Sequence, residues 1–189
     1  MTPDRGEILR YMRMGRAEPD EVLAERLDAV EREVLAAVRP ASYWQLVPVE
    51  FRADEYSVGN LILRSSDLRR TLEGCRHAFL FCATLGAGVD ALLRRYGQTS
   101  AADLLMVQAV STALIENYCD ECGEKMLLES AVHGETLRMR FSPGYGDLPL
   151  AAQKDLLAHL DSVRRAGITL TDTMLMVPSK SVSAIIGVA

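Results

Sequence analysis

Between Asp20 and Pro40 the apolar residues Val22, Leu23, Leu27, Val30, Val34 and Leu35 recur at helical spacing, the signature of a helix with one buried face. Pro19 suits its first turn and Pro40 stops it. A short helix over 7–14 precedes it. Residues 43–51 are aromatic and β-branched and predict a strand, which Pro48 pushes toward a sheet edge. Ser65-Ser66-Asp67 caps a short helix ending at Gly74. Residues 77–85 are an almost unbroken apolar run (His77-Ala78-Phe79-Leu80-Phe81-Cys82-Ala83-Thr84-Leu85), as in a buried strand. Gly86-Ala87-Gly88 then turns the chain into a helix through Tyr96. Ser100-Ala101-Ala102-Asp103 resembles a capping box and opens the longest helix, to about Leu128. Its stripe is Leu104, Val107, Val110, Leu114, Ile115, Tyr118, Cys122 and Met126.

The last third changes period. Residues 135–141 alternate as a half-buried strand does, and 150–166 form a helix ended by Gly167. Residues 168–170, 174–177 and 181–188 read as strands, the last two joined as a hairpin by Pro178-Ser179-Lys180. There is no strict βαβα alternation and no internal repeat. The expected fold class is α+β, a mostly antiparallel sheet with helices packed against it. An N-terminal helical arm (1–40) leads into an α+β domain (41–189), together one compact unit.

Composition narrows the function. With 189 residues, 49% hydrophobic and 25% charged, the chain suits a globular domain with its own core. A net charge of −5 with dispersed basic residues argues against a nucleic-acid partner, which needs a clustered Lys/Arg surface. The pairs Arg69-Arg70, Arg94-Arg95 and Arg164-Arg165 sit near helix ends, where they complement the dipole. The chain opens Met1-Thr2-Pro3-Asp4 without an apolar h-region, and its longest apolar stretch is too short to span a bilayer. Four cysteines in a chain this long make no disulfide framework. The expected setting is cytoplasmic, without a membrane.

The densest candidate chemistry lies in Arg140-Phe141-Ser142-Pro143-Gly144-Tyr145-Gly146-Asp147, a Pro/Gly-rich loop leaving a strand. Arg140 is a planar fork suited to gripping a carboxylate. Pro143 fixes φ, and Gly144 and Gly146 let backbone approach a ligand closely. Tyr145 offers a flat face and a hydroxyl. The same residues also fit a plain turn, with the arginine in water and the tyrosine plugging the core.

The segment resembles the Arg-x-x-x-Gly-Tyr signature of the activation domain of cobalamin-dependent methionine synthase, matched at Arg140, Gly144 and Tyr145, with Pro143 also as in that family. The stretch Leu170-Thr171-Asp172-Thr173-Met174-Leu175-Met176-Val177-Pro178-Ser179-Lys180-Ser181-Val182-Ser183 is similar to the family's second signature. The resemblance is clear over 135–189 and fainter back to the helix around Glu116. It implies an activation-domain-like fold that binds S-adenosylmethionine in a shallow cleft and presents the methyl group to cobalamin carried by a partner. On that reading Arg140 holds the methionyl carboxylate, backbone around Ser142 and Pro143 meets the adenine side, and Gly144 belongs to the same binding segment. Tyr145 stands near the corrin and the transferred methyl, and Glu116 is the acidic ligand contact. The implied partner is a corrinoid-binding methionine synthase lacking its own activation domain, with a flavodoxin- or ferredoxin-type electron donor. After Gly-Tyr, however, the family continues Pro-Ala-Cys-Pro-Asp-His, whereas this chain has Gly146-Asp147-Leu148-Pro149-Leu150.

That departure, with an end soon after the last strand, leaves open a non-catalytic docking module that caps a corrinoid protein without the methyl donor. Glu116 also fits a solvated helix face shared with Thr112 and Asp120. Cys119-Asp120-Glu121-Cys122 is a lone CxxC in a helical pattern, and a closed zinc site needs two more ligands. His77, His133 and His159 show no paired spacing, so no metal site is expected, a small metal or redox protein being the weaker alternative. Ala83-Thr84-Leu85-Gly86-Ala87-Gly88 lacks the Lys-Ser/Thr of a P-loop and reads as a tight strand-to-helix turn.

Overall fold

The structure is a computed structural model that describes residues 2–14, 17–131 and 134–189; His133 lies outside them. Its centre is a five-stranded antiparallel sheet. In chain order the strands are β1 (Ala41–Phe51), β2 (Tyr56–Val58), β3 (Leu61–Leu63) and β4 (His77–Thr84), then β5 (Thr169–Leu170), β6 (Met176–Val177) and β7 (Ser181–Val188). The sheet order is β3-β2-β1-β4-β7, while β5 and β6 form a separate ribbon.

Strand β4 explains its own apolar run. Phe79, Phe81 and Ala83 face one core, and Ala78, Leu80 and Cys82 face the other. Because successive side chains point to opposite faces, a strand covered on both sides needs apolar residues at every position. The first core is roofed by α1 (Arg5–Tyr11), α2 (Glu21–Ala37), α4 (Ala87–Thr99) and α5 (Ala101–Ala131). The second is closed by α3 (Ser66–Thr71), α6 (Ala152–His159) and α7 (Ser162–Ala166). Ile8 of α1 and Leu27, Val30 and Val34 of α2 bury in the same cluster as the α5 stripe residues Val107, Val110, Leu114, Cys122 and Met126.

Several expectations change. Pro48 does not mark an edge, because β1 lies between β2 and β4. It sits where β1 changes partner: β4 pairs as far as Pro48, and β2 takes over at Val49. A residue without an N–H is tolerated at that junction. The hairpin β2–β3 lies outside the expected elements, although Gly59-Asn60 between two short apolar segments is a turn signal. The expected helix 150–166 breaks at Asp161, which takes φ +48°, into α6 and α7. The expected pairing of 174–177 with 181–188 does not form. Instead β6 pairs with β5, and β7 runs beside β4 along its whole length. Lys180 and Ser179 of the connecting segment are held elsewhere: Lys180 Nζ donates to Thr112 Oγ1 at 2.8 Å, and Ser179 N to Asp90 Oδ2 at 3.1 Å.

The capping box is half realised. Asp103 N donates to Ser100 Oγ at 3.2 Å, but the Asp103 carboxylate accepts both Arg26 Nε and Nη2 at 2.7 Å. The Gly86-Ala87-Gly88 turn is packed, not open. A Cβ on Gly88 would lie 2.2 Å from Ala37 O, and one on Gly86 2.7 Å from Arg39 O. The end of α2 occupies the space a phosphate would need.

Candidate functional site

The candidate site is built on the free side of β7. Residues 137–141 run beside that strand but join it through two isolated bridges, Leu137 with Val188 and Phe141 with Ile185, so the expected strand over 135–141 is not regular. The reason lies in its ends. Leu137 packs on the α5 core and Phe141 buries in the opposite one. A regular strand puts residues four apart on the same face, so this stretch must roll over between them. The roll turns Arg138, Met139 and Arg140 outward, and Met139 is 85% exposed. Gly187 leaves room for side chains packed over it, since a Cβ there would lie 2.8 Å from Cys75 Sγ and 3.1 Å from Arg138 Cγ.

Arg140 reaches across to α5. Its Nη2 donates to Glu116 Oε2 at 2.9 Å, and its Nη1 pairs with Asp120 Oδ1 at 3.1 Å. The Arg140 side chain is 27% exposed, Glu116 47% and Asp120 73%. The two carboxylates are one helical turn apart, so both reach one fork.

The loop then closes tightly. Tyr145 N donates to Ser142 O at 3.0 Å, and Gly144 N to Leu148 O at 2.9 Å. Gly144 has φ +88°, a region where L side chains are strained. Gly146, at φ +52°, presses on α3: an added Cβ would lie 2.5 Å from Asp67 Oδ2. Pro143 is buried. Tyr145 is 71% exposed and does not plug the core; Leu148 fills it instead. The Tyr145 ring stands edge-on to Phe141, centroids 5.7 Å apart, a favourable aromatic geometry.

Asp147 belongs to the same closure. Its carboxylate accepts Ser66 N at 2.7 Å and Asp67 N at 3.1 Å, together with the Ser65 hydroxyl. These donors hold its carboxyl well below the usual range, because hydrogen bonds to the ionised form favour it. The segment that replaces the expected Pro-Ala-Cys-Pro-Asp-His thus ties the Tyr145 loop to the start of α3.

An open groove of about 670 Å³ lies beside Tyr145, walled by Arg70, Thr71 and Glu73 on one side and Arg138 to Phe141 on the other. A second, of about 440 Å³, lies across the 138–140 ridge, with Cys119, Asp120 and Glu124 on its α5 side. Arg140 lines both; Glu116 reaches the site through Arg140. The groove residues Thr71 and Glu73 had no motif to announce them, and Arg70 and Asp120 are marked in the sequence only as part of a helix-end pair and of a helix face.

All four cysteines are free and buried. Burial pushes the Cys119 thiol up to about 12, against the pull of Arg140, and that of Cys82 to about 11. No group of three or more metal-ligating side chains occurs among the described residues. No helix among them is long and apolar enough to cross a membrane.

Residues 71–188 match the family described as the activation domain of vitamin B12 dependent methionine synthase. The chain belongs to that family. The match takes in Glu116, Asp120 and the whole 138–148 segment. In fold the chain is similar to a crystal structure of the MetH reactivation domain bound to AdoHcy, with TM-score 0.68 and 18% identity, over 99% of this chain and 70% of that one. The mixed architecture of helices and antiparallel sheet is therefore that of the family. No curated protein matches the chain.

Proposed function

We propose that this chain binds S-adenosylmethionine in the groove beside Tyr145 and presents its methyl group to cobalamin on a separate methionine synthase lacking its own activation domain. The observation that carries the proposal is Arg140, which lines an open groove beside Tyr145 and has the Glu116 carboxylate behind it at 2.9 Å. An amino-acid head group has a carboxylate beside an ammonium, and an arginine fork beside a carboxylate complements both. Arg140 keeps N–H groups outside its two ion pairs, since a guanidinium has five donors. Family membership and the AdoHcy in the similar solved structure point the same way, AdoHcy being what remains of the donor once its methyl has left.

On this reading Ser142, Pro143 and Gly144 offer backbone to the adenine side, and exposed Tyr145 stands at the transferred methyl. Cobalamin held by the partner would supply the nucleophile once a flavodoxin- or ferredoxin-type donor had provided an electron, and the sulfonium would supply the methyl. The chain contributes orientation and exclusion of competing reactions. A cytoplasmic setting accords with four free, buried cysteines.

Calorimetry with S-adenosylmethionine tests the proposal. Wild type is expected to bind and Arg140→Ala to lose binding; silence from the wild type at millimolar ligand sinks it. A second reading has its own support, because both terminal nitrogens of Arg140 are engaged by acids and Asp147 has turned the following loop into a cap. It is a docking module that covers a corrinoid protein without the methyl donor. It predicts a stable complex with such a protein that S-adenosylmethionine leaves unchanged.

A further inference from the structure

Glu116 and Asp120 stand one turn apart on α5 and both face Arg140, which arrives from the 138–140 ridge. Like charges at that spacing repel, and the shared guanidinium offsets the repulsion. The two acids are not equivalent. Glu116 takes Nη2 and Asp120 takes Nη1, so together they fix both the position and the plane of the fork. One carboxylate alone would leave the fork free to swing about a single contact. Arg138, the other guanidinium on that ridge, turns away and donates to Glu73 O at 3.5 Å.

We infer that Asp120 is a positioning residue for Arg140 during ligand binding. The inference rests on the amino-acid-binding reading above. When a bound head group draws Glu116 to its ammonium, Asp120 remains as the anchor that keeps the fork aimed at the ligand carboxylate. Asp120 acts through Arg140 and need not touch the ligand.

The test is calorimetry with two probes, S-adenosylhomocysteine and 5′-methylthioadenosine, the second lacking the amino-acid head group. Asp120→Asn is expected to weaken S-adenosylhomocysteine binding about two- to fivefold, the range of an exposed ion pair. Asp120→Glu should recover most of that loss, and methylthioadenosine affinity should not move. In an Arg140→Lys background, where there is no planar fork to hold, Asp120→Asn should cost nothing further. Unchanged or tighter binding of S-adenosylhomocysteine by Asp120→Asn overturns the inference, as does an equal loss for both probes. If wild type binds neither probe, the amino-acid-binding reading fails and takes this inference with it.

Discussion

Strand β7 has two neighbours, and they differ in almost every respect. On one side β4 pairs with it continuously, from His77 with Val188 to Thr84 with Ser181. On the other, 137–141 meets it at two bridges that are one residue out of register, with Arg138 N still donating to Gly187 O at 2.8 Å between them. β4 is buried on both faces by apolar side chains; the other segment carries two arginines and an exposed methionine. The incomplete ladder lets Arg140 leave β7 and reach Glu116 and Asp120 on α5. A regular strand there would have tied up the backbone and alternated the side chains, with no continuous ridge between two grooves. One neighbour supplies stability and the other gives up regularity for a site.

The largest expected break in this comparison is Phe81→Ala against Met139→Ala. The first opens a cavity in β4 and should cost about 3–5 kcal/mol in urea unfolding. The second, on the exposed ridge, should stay within about 0.5 kcal/mol. A comparable loss from both would mean that the ridge belongs to the core.

The turn after β4 sharpens the contrast. Gly88→Ala forces a Cβ against Ala37 O and should cost about 1–3 kcal/mol. Gly97→Ala, in the same helix with nothing near its Cβ, should instead stabilise by about 0.5–1 kcal/mol. Thermal unfolding of the pair reads the difference.

The two neighbours should also answer acid differently. β4 is held by apolar packing, whereas the Tyr145 loop is held by the Asp147 carboxylate on α3. A carboxyl with a depressed folded pKa contributes stability fully above its unfolded value, about 4, and loses it as pH falls toward the folded value. Amide exchange in 142–148 should therefore gain protection as pH rises toward about 4 and level off above it, while that in β4 stays flat. Asp147→Asn should remove the pH dependence; a slope that survives it would assign the effect to another group.

The smallest expected effect is none at all. Cys82 in β4 and Cys119 behind the site are both buried with raised thiol pKa values, so a thiol reagent should label them only after unfolding. Rapid labelling of Cys119 alone would show that the wall behind Arg140 opens.

Much of the scaffold was legible because its signals are local. An apolar run as long as β4 and a stripe as regular as that of α5 point to burial wherever their partners lie. Pairing was less legible. Residues 174–177 carry no local mark that says whether they join the strand before or after them, and burial of β7 beside β4 decided it. At the site, Arg140 and Tyr145 stood out by residue type and motif, and Glu116 by resemblance. Asp120, Arg70 and Thr71 did not, because nothing short of the helix crossing brings them to the loop. Asp147 looked like a loss of the expected Cys and His, and its capping of α3 emerged only from a contact between residues far apart in sequence.

The sequence by itself determined the α+β class, the long helix, the doubly buried strand and the loop that bears Arg140 and Tyr145. These follow from periodicity and residue chemistry, which act over one or two turns of chain. The tertiary structure decided that Leu137 and Phe141 bury on opposite faces of the sheet, and so that Arg138, Met139 and Arg140 form a ridge. It also decided that α5 lies where one guanidinium spans two of its carboxylates. Those outcomes depend on how layers stack and which strand edges remain free, and no stretch of chain holds that information alone.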